Sequence, residues 1–311
     1  MELHPHLTAI VEKASRYKRM NEAPLSAVRG AAAKLLDTGL PREMVGSVET
    51  ITIQGPDRSI PLRIYRPDDE VGRAVILFLH GGGFAICGLE THDAMCRQIC
   101  RRSEAVVVSV DYALAPEHPY PAGLVDGRVA ARWVVGNAER IGADPRRMAL
   151  CGDSAGGNLA IGLALSGIHS TALALIYPVT DHYSAGRRSY ADRGAACGLT
   201  DGEMRWFWDM YLPDAALAGR PDVSPARSAT LSGLPRSYVA TAEHDVLRDE
   251  GLAFVQRLRE AGVPVTHRHY GDMNHGFLNW VGVVDRASEA MDDLGAWLRQ
   301  ALANPEDGPC Q

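Results

Sequence analysis

Cys151-Gly152-Asp153-Ser154-Ala155-Gly156-Gly157 is the stretch on which the reading of this chain turns. Before it, Arg147-Met148-Ala149-Leu150 is short and mostly apolar, as a buried strand is. After it, residues 158–165 are apolar around a whole helical turn. Strand, Gly-x-Ser-x-Gly and helix make a nucleophile elbow, a turn so tight that only small residues fit two places either side of the serine. The turn lifts the Ser154 hydroxyl off the strand end and sets the Ala155 N–H at a helix N-terminus, where a developing oxyanion can be held. A glycine-rich turn in a nucleotide-binding sheet has the same local pattern. Partners elsewhere in the chain must separate the two readings.

The elements around the elbow are those of an α/β protein. Residues 47–53 and 60–65 alternate apolar and polar about a turn at Gln54-Gly55-Pro56-Asp57, which predicts an antiparallel hairpin. Residues 74–79 are a continuous apolar run, the mark of a strand buried on both faces. Further strands are expected at 105–110, 147–150, 172–177, 237–241 and 265–270. Helices are expected near 93–102, 125–135, 249–260 and 288–301. Eight strands, an antiparallel start and a run of strand–helix units predict a mixed, mostly parallel sheet with helices on both faces. Residues 1–45 read as helices that precede the sheet, and 304–311 as a frayed tail.

One insertion breaks this rhythm, between the strands at 172–177 and 237–241. It holds a helix over 200–212 in which Thr200 and Glu203 are spaced as a capping box. Met204, Phe207, Trp208 and Tyr211 fall on one side of it, and Trp206 and Met210 on another. A helix apolar on two sides must touch protein or ligand on both. The expected division is therefore helices over 1–45, a catalytic domain of 46–182 and 222–311, and an insertion of 183–221 forming part of a lid.

Composition narrows the function. The 311 residues are 46% apolar and 23% charged, ordinary for a globular protein, and 32 basic against 38 acidic residues leave a net charge of −6. That balance argues against nucleic acid or an anionic membrane as partner. No basic segment followed by an apolar core opens the chain, and no apolar run is long enough to span a bilayer. The six cysteines show no Cys-x-x-Cys pair. Cys96 and Cys100, one helical turn apart, lack nearby histidines to complete a metal site, so buried thiols in a reducing cytoplasm are expected.

A serine nucleophile needs a base, an orienting carboxylate and an oxyanion hole, and each has a candidate just past a strand end. After 74–79 comes His80-Gly81-Gly82-Gly83-Phe84. Three glycines in a row cost backbone entropy but let N–H groups face a site, so Gly81 and Gly82 are expected to join Ala155 in the oxyanion hole. After 237–241 comes Ala242-Glu243-His244-Asp245, where Asp245 is the expected carboxylate; Asp249 reads as a helix-start residue and Glu243 as a weaker candidate. After 265–270 comes Gly271-Asp272-Met273-Asn274-His275-Gly276-Phe277, which offers His275 as general base. His267 and His269 share one face of a strand and read as structural. Phe84, Trp208 and Phe277 are candidates for contact with substrate.

With those residues in place, the chain resembles the hormone-sensitive-lipase-like family of bacterial carboxylesterases. The resemblance covers roughly 60–297. It is carried by His80–Gly83, by Ser109-Val110-Asp111-Tyr112-Ala113-Leu114-Ala115-Pro116-Glu117-His118-Pro119-Tyr120-Pro121-Ala122, by Gly152–Gly157, by the acid loop 241–251 and by His275. Val246 and Ala113 stand where the family commonly has proline and arginine, and His244 where it has an aromatic. The resemblance implies an α/β-hydrolase fold and a cap built from the N-terminal helices and the insertion. It also implies hydrolysis of small carboxylic esters of short to medium acyl chain by Ser154, Asp245 and His275, with no cofactor and no metal. Many members of the family form homodimers, which this sequence does not show. An amidase, lactonase or carbamate hydrolase would keep the same triad. A non-catalytic ligand receptor on this fold would be expected to lack His275.

Overall fold

The computed structural model describes residues 2–16, 18–193 and 197–303; the tail 304–311, with Cys310, lies outside them. Two helices come first, α1 (Pro5–Ala14) and α2 (Leu25–Leu35), then the hairpin strands β1 (Ser47–Gln54) and β2 (Ser59–Arg66). The chain continues as β3 (Arg73–Leu79), α3 (Asp93–Ser103), β4 (Val106–Val110), α4 (Ala122–Gly136), β5 (Ala143–Asp153), α5 (Ala155–Leu165) and β6 (Ala172–Ile176). The insertion carries α6 (Arg188–Arg193) and α7 (Asp201–Tyr211). Then come β7 (Arg236–His244), α8 (Arg248–Glu260), β8 (Val265–Asn274) and α9 (Asp285–Ala301).

The strands form one eight-stranded sheet in the order β1-β2-β4-β3-β5-β6-β7-β8. β1 and β2 run antiparallel, as does β2 against β4, and every later pairing is parallel. This is the α/β-hydrolase arrangement that the element order predicts. β3 shows why its apolar run is unbroken. Val75, Leu77 and Leu79 enter the core shared with α4, α5 and α8, while Ala74, Ile76 and Phe78 enter the core shared with α3 and α9. Full burial of each Val, Leu, Ile or Phe side chain among these contributes about 1.5–3 kcal/mol. α5 is buried from Ala155 to Leu163, so its apolar surround is what a helix inside the fold requires. Among the described residues no helix is long and apolar enough to cross a membrane.

The strand ends lie closer to the motifs than the sequence pattern marks them. β5 runs to Asp153, β7 to His244 and β8 to Asn274, so Ser154, Asp245 and His275 each follow a strand directly. β3 ends at Leu79, immediately before the glycine run.

The two flanking helical segments meet beside this edge. Thr200 caps α7 in the expected box: Glu203 N–H donates to Thr200 Oγ1 at 3.2 Å, and Thr200 N–H donates to Glu203 Oε2 at 2.9 Å. The other Glu203 oxygen accepts Met20 N–H at 3.1 Å, and Arg19 Nη1 donates to Gly198 O at 3.1 Å. α1 goes elsewhere. Its Leu7 is fully buried in the α3–α9 core, and His4 N–H donates to Asp272 O at 2.9 Å. Asn158 of α5 holds the roots of the insertion, donating through Nδ2 to Val179 O at 3.1 Å and Val223 O at 2.9 Å.

Candidate active site

Ser154 sits at φ +53°, ψ −119°, a conformation that a non-glycine residue holds only where its surroundings enforce it. Here they do. Ser154 N–H donates to Ile176 O at 2.9 Å, and Ser154 O accepts Val179 N–H at 3.1 Å. The flanking glycines are a packing requirement. A Cβ on Gly152 would lie 2.4 Å from the Gly156 carbonyl, and one on Gly156 would lie 2.0 Å from Leu79 O. Both obstacles are backbone and cannot swing away. Gly156→Ala is therefore expected to destabilise the fold by about 3 kcal/mol or more and to displace Ser154. Thermal melting together with ester turnover checks this; a variant that melts and turns over like the wild type contradicts it.

Three strand ends deliver the polar groups. His275 Nε2 lies 2.9 Å from Ser154 Oγ, and His275 Nδ1 lies 2.8 Å from Asp245 Oδ2. The second Asp245 oxygen accepts Leu247 N–H at 2.8 Å. With both carboxylate oxygens used as acceptors, the imidazole proton belongs on Nδ1, and Nε2 is left to accept from the serine. The ring rests against Tyr177, centroids 4.9 Å apart. Ser154 is 6% exposed, and the His275 side chain 12%.

The neighbouring candidates are engaged elsewhere. Glu243 pairs with Arg193, Arg248 and His269, and Asp249 accepts Ser189 N–H at 2.8 Å. His267 and His269 converge on the Thr241 hydroxyl, at 2.8 and 2.9 Å. Burial, reinforced by His269, lowers His267 to a pKa of about 4.

The oxyanion expectation needs one correction. Gly81 N–H does not face the serine; it donates to the buried Asp153 Oδ1 at 2.7 Å. The next peptides turn sharply, with Gly82 at φ +116° and Gly83 at φ +56°. Among the described residues the N–H groups of Gly82, Gly83 and Ala155 make no hydrogen bond. The loop is held from both sides. His80, which burial drives down to a pKa of about 3, stacks on Tyr112 at 4.3 Å, and Tyr112 Oη donates to His80 O at 2.7 Å. Arg29 of α2 donates to Ala85 O at 2.8 Å and Ala115 O at 2.9 Å.

A second correction concerns the aromatic candidates. Phe277 is fully buried against Tyr177 and Tyr270 in the core, with no face left for substrate. Phe84 and Trp208 are 2% and 1% exposed, and Phe84 packs on Trp208 of α7. Phe84 stacks on Tyr211 at 3.8 Å and 7°, and a Cβ on Gly83 would lie 2.2 Å from the Phe207 ring. α7 thus rests directly on the glycine loop.

Two buried ionisable residues escape the sequence reading because their partners are far away in the chain. Asp153 is 3% exposed, and its Oδ1 also lies 3.3 Å from His92 Nε2. Burial pushes the carboxyl up, but His92 and Gly81 N–H outweigh it and hold the group below the ordinary aspartate range. Glu250 has no exposed surface; its Oε1 accepts Thr180 N–H at 2.7 Å and Asp181 N–H at 3.2 Å, and its Oε2 accepts Tyr190 Oη–H at 3.2 Å. Burial raises Glu250 to a pKa of about 8 despite these donors.

That shift has a sign. Between pH of about 4.5 and about 8 the folded state holds a proton that the unfolded chain has released. This contribution to stability is complete at acid pH and is lost as pH rises toward 8, at no more than about 1.4 kcal/mol per pH unit. In Glu250→Gln the amide keeps the acceptor for both N–H groups and carries no titrating proton. The wild-type melting temperature should fall more between pH 6 and 9 than that of Glu250→Gln. Parallel curves contradict this.

The model of the alpha/beta hydrolase fold family matches residues 76–279. The chain belongs to this family. Within it, the chain is a hormone-sensitive-lipase-like carboxylic ester hydrolase. The esterase is 39% identical over 267 residues to the carboxylic ester hydrolase LipN of Mycobacterium tuberculosis, covering 82% of this chain and 71% of that one. It is 34% identical over 253 residues to an ethyl acetate hydrolase of Pseudomonas putida, covering 78% and 79%. Among solved structures, the hyperthermophilic esterase of Pyrobaculum calidifontis superposes with a TM-score of 0.93 at 36% identity, covering 97% of the esterase and 100% of that chain.

Proposed function

We propose that the esterase hydrolyses small carboxylic esters through an acyl-enzyme on Ser154. The observation that carries this is the hydrogen-bonded line Ser154–His275–Asp245; the N–H groups of Gly82, Gly83 and Ala155, which have no acceptor among the described residues, support it. Ser154 Oγ attacks the ester carbonyl carbon as His275 Nε2 takes its proton. The carbonyl oxygen, now negative, is held by the N–H groups of Gly82, Gly83 and Ala155. His275 returns the proton to the leaving alcohol, and Asp245 orients the ring and stabilises the imidazolium. Water then repeats the sequence on the acyl-enzyme. Each step uses one proton, and His275 is neutral again at the end.

Acyl chains of short to medium length suit the crowding above the glycine loop, where Phe207, Trp208 and Tyr211 pack down on Gly83 and Phe84. The relative named an ethyl acetate hydrolase points the same way. Of the helices expected to form the cap over 1–45, α1 packs instead into the α3–α9 core, so on this reading residues 19–45 and the insertion 183–221 act as a cap over the serine. A p-nitrophenyl ester series tests the size preference. We expect kcat/KM to be highest between acetate and hexanoate and at least tenfold lower for laurate; a maximum at laurate overturns it. The five described cysteines are free thiols, which supports a cytoplasmic setting, and β8, as an edge strand of the sheet, gives a homodimer a place to form. Sedimentation velocity distinguishes dimer from monomer.

A further inference from the structure

We propose that Asp153 is a positioning residue: backed by His92, its carboxylate latches the oxyanion loop to the strand that carries the nucleophile. This rests on the reading of Gly82, Gly83 and Ala155 as oxyanion donors, and it accounts for how a run of three glycines stays aimed.

Hydrogen bonds run from one end of the loop to the other. Gly81 N–H, at its start, donates to Asp153 Oδ1 at 2.7 Å. The same oxygen lies 3.3 Å from His92 Nε2, and both side chains are at least 95% buried. His92 Nδ1 lies 2.9 Å from Thr91 Oγ1. Thr91 closes the chain on Gly88, accepting its N–H at 3.0 Å and donating to its carbonyl at 2.9 Å. The loop is therefore tied at Gly81 and at Gly88 to a carboxylate one residue from Ser154. The contact is close as well as polar: a Cβ on Gly81 would lie 2.4 Å from Asp153 Oδ2.

Three physical reasons favour a strong hydrogen-bond acceptor there. Glycine peptides have wide conformational freedom, so unrestrained N–H groups at 82 and 83 would wander. A charge-assisted bond from a backbone N–H is about twice as strong as a neutral one. A buried Gly81 N–H without its acceptor would seek another and take the following peptides with it. Because Gly81 N–H is fixed toward Asp153, the two later N–H groups are left for the substrate oxygen. A misplacement of about 1 Å in such a site costs about 100-fold in rate.

The test compares Asp153→Ala and Asp153→Asn in the full chain, with active sites counted by complete fluorophosphonate labelling and an aryl trifluoromethyl ketone as oxyanion probe. The ketone forms its hemiketal with Ser154 and places the resulting oxyanion in the hole, so its Ki reports the donors themselves. For Asp153→Ala, kcat per labelled site should fall about 10- to 100-fold, Ki should rise by a similar factor, and KM should stay within about twofold. Asp153→Asn keeps an oxygen for Gly81 N–H and should regain most of the lost rate. The latch is overturned if Asp153→Ala loses labelled sites while kcat and Ki per site match the wild type. It is also overturned if Asp153→Asn is as impaired as Asp153→Ala, because an acceptor for Gly81 N–H would then be present without restoring the rate. Ser154→Ala separates the two readings: activity retained there defeats the acyl-enzyme, whereas a dead Ser154→Ala beside an unimpaired Asp153→Ala defeats the latch alone.

Discussion

Ser154→Ala is expected to lower kcat on p-nitrophenyl butyrate by about 10⁶-fold, the scale found when a triad serine is removed. Among the described residues no other hydroxyl hydrogen-bonds to His275. Ser154 Oγ is the oxygen that lies 2.9 Å from His275 Nε2, and the elbow holds it there through backbone bonds to Ile176 and Val179. The replacement removes one buried oxygen and leaves the φ +53° turn in place, so the variant should melt near the wild-type temperature. Loss of rate without loss of fold is the expected pair of results. Steady-state kinetics and circular dichroism on the same sample check it. Residual kcat within tenfold of the wild type would remove Ser154 from the mechanism.

Asp245→Asn is expected to cost about 10⁴-fold in kcat, through the tautomer of His275 rather than through its position. In the wild type one Asp245 oxygen accepts Leu247 N–H and the other faces His275 Nδ1. An asparagine keeps its carbonyl on Leu247 N–H, because the reverse would set two donors against each other. Its amide then points at Nδ1, which must accept, and the ring proton moves to Nε2. A His275 with a proton on Nε2 donates to Ser154 and cannot take its hydrogen. KM should change little, since neither group binds the ester in its ground state. Asp245→Asn with kcat near the wild-type value would place the orienting carboxylate elsewhere. Glu243 and Asp249 are the sequence neighbours to examine, though both are already committed to other partners.

Much of this site could be read from the chain because its parts are locally marked. The elbow needs small residues at 152 and 156 for reasons confined to one turn, and the spacing of glycines about Ser154 records that need. His275 and Asp245 lie just past strands recognisable by period and composition. The parallel sheet brings those strand ends to one edge. The capping box of α7 is equally local: Thr200 and Glu203 are three residues apart, and they bond to each other as that spacing predicts.

The aromatic assignments fared differently because burial is not a local property. Phe277 follows His275 by two residues, yet the turn at Gly276, φ +77°, carries its ring under the sheet edge into the core with Tyr270. The two apolar sides of α7 were legible, but not the surface each covers. That surface is the glycine loop on one side, a contact between residues more than a hundred positions apart.

By itself, then, the amino-acid order determined the strand–elbow–helix unit, the alternation of strands and helices, and which three residues form the hydrogen-bonded line Ser154–His275–Asp245. In each case the cause is steric or periodic and acts within a few residues. Only the tertiary structure decided where Gly81 N–H points. Its acceptor belongs to Asp153, which β5 sets beside β3 because the sheet order places those strands next to each other. His92 reaches the same carboxylate from a third segment. Such a choice of partner depends on which strands become neighbours, and no spacing within either segment contains that information.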